Sequence, residues 1–426
     1  MHDPFSPKQL EFIVNSTKKW NIAHGSVRTG KSVATNFRFL ERVDSIEDHR
    51  NYIVGHNFDT AYRNVVRPML ESEELSIYRP FLTWSGKKLY FRDKIITVLG
   101  AKDEGSIGNF QGLTMATVLC DEMTLYPDSV IQMIDSRLSL DHSLGIATCN
   151  PSHPEHIIKK WIDMGESGNP DYYSLHWTLE DNPYVDEKYK NRMKNSLVGM
   201  FYKRNYLGLW CMAEGAIFDF FDKEIHVVKK PPKAAEYYIA GLDYGMSNAF
   251  ACIIIGVSTG RYNQSGKCLW AEAEYYWSVA EKGRAKTNLE LAKDIQEFLE
   301  PYGVKQLYID PSALSMKVEL RRMGVTTIDA NNDVLSGIEY MTSQMAQGNF
   351  FVMNTCSHLI SEIHNYVWDS NKARQGEDAP KKKADHVIDA VRYVLYSHKV
   401  TTYEPYKHSA NDYLKNRFDP SSPSRF

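Results

Sequence analysis

The chain of 426 residues is long enough for two or three domains, and with 43% hydrophobic residues each can bury a core. Its formal net charge of −3 excludes a surface that is basic all over, so any polyanion must be met by local patches. The longest apolar runs, such as Ala249 to Val257, are too short for a bilayer, and Met1-His2-Asp3-Pro4 lacks a secretory signal's basic and apolar regions. Six cysteines without a Cys-x-x-Cys suggest neither a zinc ribbon nor a disulfide framework, so the expectation is a cytosolic protein with reduced thiols and no membrane partner.

In chain order, Ser6-Pro7-Lys8-Gln9 opens a helical stretch, and the Gln9 amide is a candidate to meet the Watson–Crick-type edge of adenine. Trp20 to His24 reads as a strand. It runs into Gly25-Ser26-Val27-Arg28-Thr29-Gly30-Lys31-Ser32, a complete phosphate-binding loop, after which Val33, Phe37 and Leu40 recur at helical spacing. Backbone N–H groups of this loop can turn toward the phosphates of ATP, Lys31 can reach the β- and γ-phosphates, and Ser32 can ligate Mg²⁺. Further apolar stretches, Asn51 to Gly55, Ile95 to Gly100, Met115 to Cys120 and Ser143 to Thr148, alternate with helical ones. That pattern predicts an α/β fold, a P-loop NTPase domain with a mostly parallel sheet.

Val118-Leu119-Cys120-Asp121-Glu122 ends one of these strands with two carboxylates, at the end that faces the phosphate crevice in open α/β sheets. Asp121 would hold Mg²⁺ through water, and Glu122 would orient and deprotonate the attacking water, as steady ATP hydrolysis requires. Thr148-Cys149-Asn150-Pro151 ends another strand with small polar residues, where one hydrogen bond can register the γ-phosphate and displace the loop beyond. Transition-state charge in such ATPases is often neutralised by an arginine. Arg28 lies in the loop itself, and Arg92 and Arg137 are alternatives that could act on a neighbouring subunit. Helical spacing from Asp186 to Leu209 closes an ATPase domain placed over residues 1–210, and a linker is expected over 211–236, where Lys229-Lys230-Pro231-Pro232-Lys233 falls.

A second rhythm follows. Tyr237 to Asp243, Ala249 to Ser258 and Lys267 to Trp277 read as three meandering strands; then come a helix near Leu289 to Tyr302, a strand Gln306 to Asp310, and helices near Leu335 to Gln347 and Asp385 to Tyr396. This order predicts a ribonuclease-H-like (RuvC-like) nuclease domain over 237–400, with a flexible tail over 401–426. Asp243 and Asp310 each end a strand, and Asp385 and Asp389, four apart, share a helix face. Phosphodiester hydrolysis by two Mg²⁺ or Mn²⁺ ions roughly 3.5 to 4 Å apart needs such carboxylates at one point. His386 is a candidate to orient or protonate a reacting group, and Lys381-Lys382-Lys383 a candidate contact to DNA phosphates.

Taken together, the loop, Asp121-Glu122, Thr148 to Pro151, Asp243, Asp310 and His386-x-x-Asp389 resemble the large terminase subunit of tailed bacteriophages, over nearly residues 6 to 398. Thr178-Leu179-Glu180-Asp181-Asn182-Pro183, Tyr206-Leu207-Gly208-Leu209-Trp210 and Gly215-Ala216-Ile217-Phe218 resemble the family's junction between ATPase and nuclease. The resemblance implies a motor that drives double-stranded DNA into a procapsid through the portal protein, with an endonuclease that cuts concatemeric DNA. It further implies a small terminase subunit as partner, a ring of copies on the portal formed from a monomer in solution, and a place in the host cytoplasm, transiently at the portal vertex. Thr148 to Pro151 matches the family's coupling motif, whereas Gln111 stands where relatives often carry arginine. A P-loop helicase or repair ATPase fused to a nuclease is the alternative, although no strand-separation motif is present.

Overall fold

The computed structural model describes residues 5–245, 249–260 and 267–399, so the tail expected over 401–426 lies outside the described residues. The chain divides into two compact units. One comprises Met1–Asp219 with Tyr366–Lys381, the other Phe220–Asn365 with the residues from Lys382 onward.

The first unit is built on eight strands: β1 (Trp20–Gly25), β2 (Asn51–Gly55), β3 (Leu82–Ser85), β4 (Lys88–Phe91), β5 (Lys94–Gly100), β6 (Thr117–Cys120), β7 (Leu144–Cys149) and β8 (Tyr172–Trp177). Their order is β3-β4-β5-β2-β6-β7-β1-β8. All pairs from β5 to β8 are parallel, and only the β3–β4 hairpin, which the sequence reading passed over, adds antiparallel edges. Every residue of β1, β6 and β7 is buried, as parallel strands covered on both faces require. One face packs Phe12, Phe39, Leu40 and Trp177, and the other packs Trp20, Phe110, Ile131 and Trp161.

The segment Tyr366–Lys381 departs from the expected boundaries, since 237–400 was read as one domain. Its attachment has a clear cause. Arg204 and Asp378 are paired with side chains only 9% and 6% exposed, Arg204 Nε also donates to the Cys211 carbonyl at 3.1 Å, and Ala216 bridges to Val367. A buried guanidinium without a carboxylate partner would be strongly destabilising.

The second unit carries β9 (Val227–Val228), β10 (Tyr237–Tyr244), β11 (Ala249–Ser258), β12 (Cys268–Ser278), β13 (Leu307–Ile309), β14 (Thr327–Asp329) and β15 (Phe350–Met353), in the order β14-β13-β10-β11-β12-β15-β9. The three long strands meander antiparallel, and the short ones add in parallel on either side. The expected linker is therefore partly structured: helix Lys223–His226 leads into β9, which pairs with β15. Helix His386–His398 lies across β10 and β11 with Val387, Val391, Val394 and Leu395 buried. It comes so close that a Cβ on Gly241 would stand 2.0 Å from the Ala390 carbonyl oxygen. Gly241→Ala should therefore lower the stability of this unit by about 3 kcal/mol. Urea titration checks it, and an unchanged midpoint would rule out the close approach.

Candidate functional sites

At the carboxyl ends of β1, β6 and β7 lies a crevice of about 570 Å³. The chain can turn out of β1 only because residue 25 is glycine: at φ 142°, a Cβ there would lie 1.9 Å from the Trp177 carbonyl oxygen. Residues 25–32 then wrap into helix Lys31–Ser45, with Gly30 (φ 90°) before its first turn. Lys31 Nζ donates to the carbonyls of Gly25 at 3.0 Å and Ser26, and to Asn150 Oδ1 at 3.3 Å. Asp121 is held on both oxygens: Thr148 Oγ1 donates to Oδ1 at 2.9 Å and Asn64 Nδ2 donates to Oδ2 at 3.3 Å. The Glu122 N–H donates to Thr148 Oγ1 at 3.0 Å, so Thr148 joins the two acids. Arg28 (φ 56°) and Glu122 (φ 53°) are left-handed without being glycine, a strain that collects at functional sites.

Burial sets the electrostatics. It pushes the Lys31 ammonium down to about 8, against the pull of Asp121 and Glu122. It pushes Asp121 up, opposed by the hydrogen bonds from Thr148 and Asn64, and it pushes Glu122 up with help from Asp121. A basic loop, a carboxylate fixed on both oxygens and a second carboxylate of raised pKa together suit a polyphosphate, a hydrated cation and a general base.

Val27, Thr29, Ser32 and the other loop residues from Arg28 onward line this crevice with Asp121, Glu122, Thr148 and Asn150. Gln9 does not line it. Its amide accepts from the Ser6 N–H at 2.8 Å and donates to the Gly30 carbonyl at 3.2 Å, which braces the loop. Arg28 faces the crevice and stacks 4.8 Å from the Tyr189 ring centroid. The other two arginines lie elsewhere. Arg92 is bound to Asp44 at 2.6 Å, and the Arg137 carbonyl accepts from the Met115 N–H beside the amino-terminal end of β6.

In the second unit, Leu242 pairs with Ile309 in parallel register, so Asp243 and Asp310 emerge at the same end of adjacent strands. A crevice of about 670 Å³ opens there, lined by Asp243, Asp385, His386, Asp389, Lys382 and Lys383 among others. Asp310 and Lys381 are not among its lining residues. Each carboxylate has its own partner: Asp243 Oδ2 and His386 Nδ1 are 2.8 Å apart, and Ser312 Oγ and Tyr393 OH donate to Asp310 at 2.6 and 3.1 Å. Asp389 takes Arg392 at 3.0 Å and Lys382 at 3.2 Å. Lys382 is thus paired with Asp385 and Asp389.

Burial raises Asp243 against the His386 contact, while His386 is raised by that same hydrogen bond. Burial also raises Asp310, but its hydrogen bonds outweigh this and hold it below the usual carboxylate range. Among the described residues no group of three or more His, Cys, Asp or Glu side chains stands close enough to hold a metal ion. The donors nevertheless have the right chemistry, being hard carboxylate oxygens at one end of one sheet. Asp385 Oδ2 is buried without a hydrogen-bond partner and lies 3.4 Å from Lys382 Nζ.

Sequence reasoning missed Asn64, Arg392, Tyr393 and Glu362. Arg392 sits one helical turn from Asp389, a spacing that could have revealed it. Glu362, raised to about 8 by burial, accepts from the Ile388 N–H at 2.8 Å and so fixes the first turn of the helix bearing Asp389.

Known proteins share this two-part construction. The family described as "Terminase large subunit, T4likevirus-type, N-terminal" matches residues 22–225, and "Terminase RNaseH-like domain" matches 263–398. The large terminase subunit of Escherichia phage T5 is 26% identical over 241 residues, 54% of this chain and 52% of that protein, so the match spans about half that relative's length. The large terminase of a thermophilic bacteriophage is 30% identical, with a TM-score of 0.81 over 93% of this chain and 99% of that one. Solved with ADP, the same thermophilic phage protein is matched at 29% identity and a TM-score of 0.80, over 92% of this chain and 99% of that one.

His24, buried in β1 just before the loop, accepts from Trp210 Nε1 at 3.3 Å, and burial, with His176 and Lys31 nearby, pushes it down to about 3. The unfolded chain takes up this proton near 6.5, so stability is lost as pH falls from there toward 3, by on the order of 1 kcal/mol per unit. His24→Gln should flatten the plot of unfolding free energy against pH in that window. Parallel curves for the two proteins would refute a neutral, buried His24.

Proposed function

Because this chain belongs to the large-subunit family of phage terminases, we propose that it hydrolyses ATP to drive double-stranded DNA into a procapsid and cuts that DNA with a second, metal-dependent site. The observation that carries the reading is the placement of Glu122. It stands beside a doubly held Asp121 at the mouth of a phosphate-binding loop, in a chain that also sets Asp243 and Asp310 side by side at strand ends. The helicase alternative is not favoured, since the likeness to the thermophilic phage terminase extends over 93% of the chain.

In the first crevice, loop amides and Lys31 would bind the β- and γ-phosphates, and Ser32 and Asp121 would hold magnesium. Glu122 would take the proton of the attacking water, a task suited to a carboxyl raised by burial. Asn150, bonded to Lys31, and Thr148, bonded to Asp121, stand where they would report phosphate loss along β7. Arg28 is the candidate in this chain to neutralise transition-state charge. At the second site, Asp243, Asp385 and Asp389 in the crevice and Asp310 at the adjacent strand end would hold Mg²⁺ or Mn²⁺, which would supply activated water and charge neutralisation at the leaving oxygen. His386 holds Asp243 in place, Arg392 holds Asp389, and Lys382 and Lys383 lower the repulsion between these acids and a DNA phosphate. Portal protein, a small terminase subunit and further copies in a ring are the proposed partners, met in the host cytoplasm at the portal vertex. No helix among the described residues is long and apolar enough to cross a membrane.

Lys31→Ala and Glu122→Gln should each lower ATP turnover by roughly 100-fold or more. Asp243→Asn and Asp389→Asn should abolish Mn²⁺-dependent plasmid cutting and leave ATP turnover within about twofold of wild type. Full cutting by both aspartate variants would overturn the nuclease assignment, and full turnover by Lys31→Ala the ATPase assignment.

A further inference from the structure

The helix after β2 is irregular. Phe58–Ala61 is α-helical, Tyr62–Val66 forms a π-helical turn, and Arg67–Glu71 resumes the α-helix. Such insertions are rare, and they appear frequently at functional sites. This one carries Asn64, which lines the nucleotide crevice and donates to Asp121 Oδ2 at 3.3 Å. Arg63 Nε donates to Asn64 Oδ1, also at 3.3 Å, so the amide presents its N–H₂ end to the carboxylate. Thr148 secures the other oxygen, Oδ1. Asp121 is thereby fixed in direction by two neutral donors while its remaining lone pairs stay available.

We propose that Asn64 is a positioning residue of the ATPase reaction, holding Asp121 in the orientation that receives the hydrated divalent cation of the nucleotide. The inference rests on the assignment of Asp121 to that cation. Without Asn64 the carboxylate is held on one oxygen only, and rotation about its terminal bond takes the cation's receptor out of line. Nucleotide contacts made by the loop amides and Lys31 do not pass through Asn64. The effect should therefore fall on the contribution of the metal and on turnover, and spare metal-free binding.

The test uses the full chain and the variants Asn64→Ala, Asn64→Leu, which keeps the volume without the donor, and Asp121→Asn. Binding of a fluorescent ADP is titrated without metal and then against MgCl₂, and kcat and KM for ATP are measured at saturating Mg²⁺. Both Asn64 variants should bind metal-free ADP within about twofold of wild type, need about tenfold more Mg²⁺ for half-maximal effect, and lose about tenfold in kcat with KM little changed. A wild-type Mg²⁺ midpoint in the Asn64 variants, with Asp121→Asn shifted, overturns the inference alone. A wild-type midpoint in Asp121→Asn overturns the assignment beneath it. Loss of metal-free binding or of cooperative unfolding in both Asn64 variants assigns the residue a structural role and overturns the inference as well.

Discussion

A charge removed from water at the end of a strand must meet its partners there, and both crevices follow from that requirement. Lys31 and Asp121 are 7% and 6% exposed, and Asp385 and Asp389 are 6% and 5% exposed. None of these could stay ionised in an apolar interior. Parallel strands that finish together solve the first half of the problem, because they bring loop residues from distant parts of the chain to one edge. The second half is solved by hydrogen bonds, and the two units solve it differently.

In the first crevice the donors to Asp121 are uncharged, Thr148 and Asn64, and Tyr126 OH supports its backbone carbonyl at 2.8 Å. The net charge of the carboxylate is left for a ligand to use. In the second crevice the acids are met by the cations Lys382 and Arg392 and by the His386 imidazole. Arg392 is 2% exposed and also donates to the Asn332 and Asp333 carbonyls, so it is a fixed part of the core. The Lys382 side chain is 64% exposed. Of the two counter-charges on Asp389, only Lys382 can swing away without disturbing packing.

The parts of this design that were legible in the sequence are local ones. The phosphate-binding loop, Asp121-Glu122 and the strand-end Asp243 and Asp310 each announce themselves within a few residues, because an apolar strand that ends in an acid is a short-range pattern. What escaped depends on long-range pairing. Asn64 matters through Asp121, 57 residues away, and through a π-helical turn that has no spacing signature. The strand β9 has two residues and exists because β15 offers it an edge, so its sequence could only look like a linker.

The ion pair between Arg204 and Asp378 bears on how this polypeptide can be cut. The two residues lie 174 positions apart yet close within one unit, so the first unit is discontinuous in sequence. A recombinant fragment ending near residue 219 would retain the arginine in a buried position and lose its carboxylate, a defect of about 3–5 kcal/mol in comparable buried pairs. Appending residues 366–381 through an artificial connection, as in a circular permutant, would restore the missing charge. Chimaeras assembled by swapping one unit between relatives would have to move both of its segments together, because neither is complete alone.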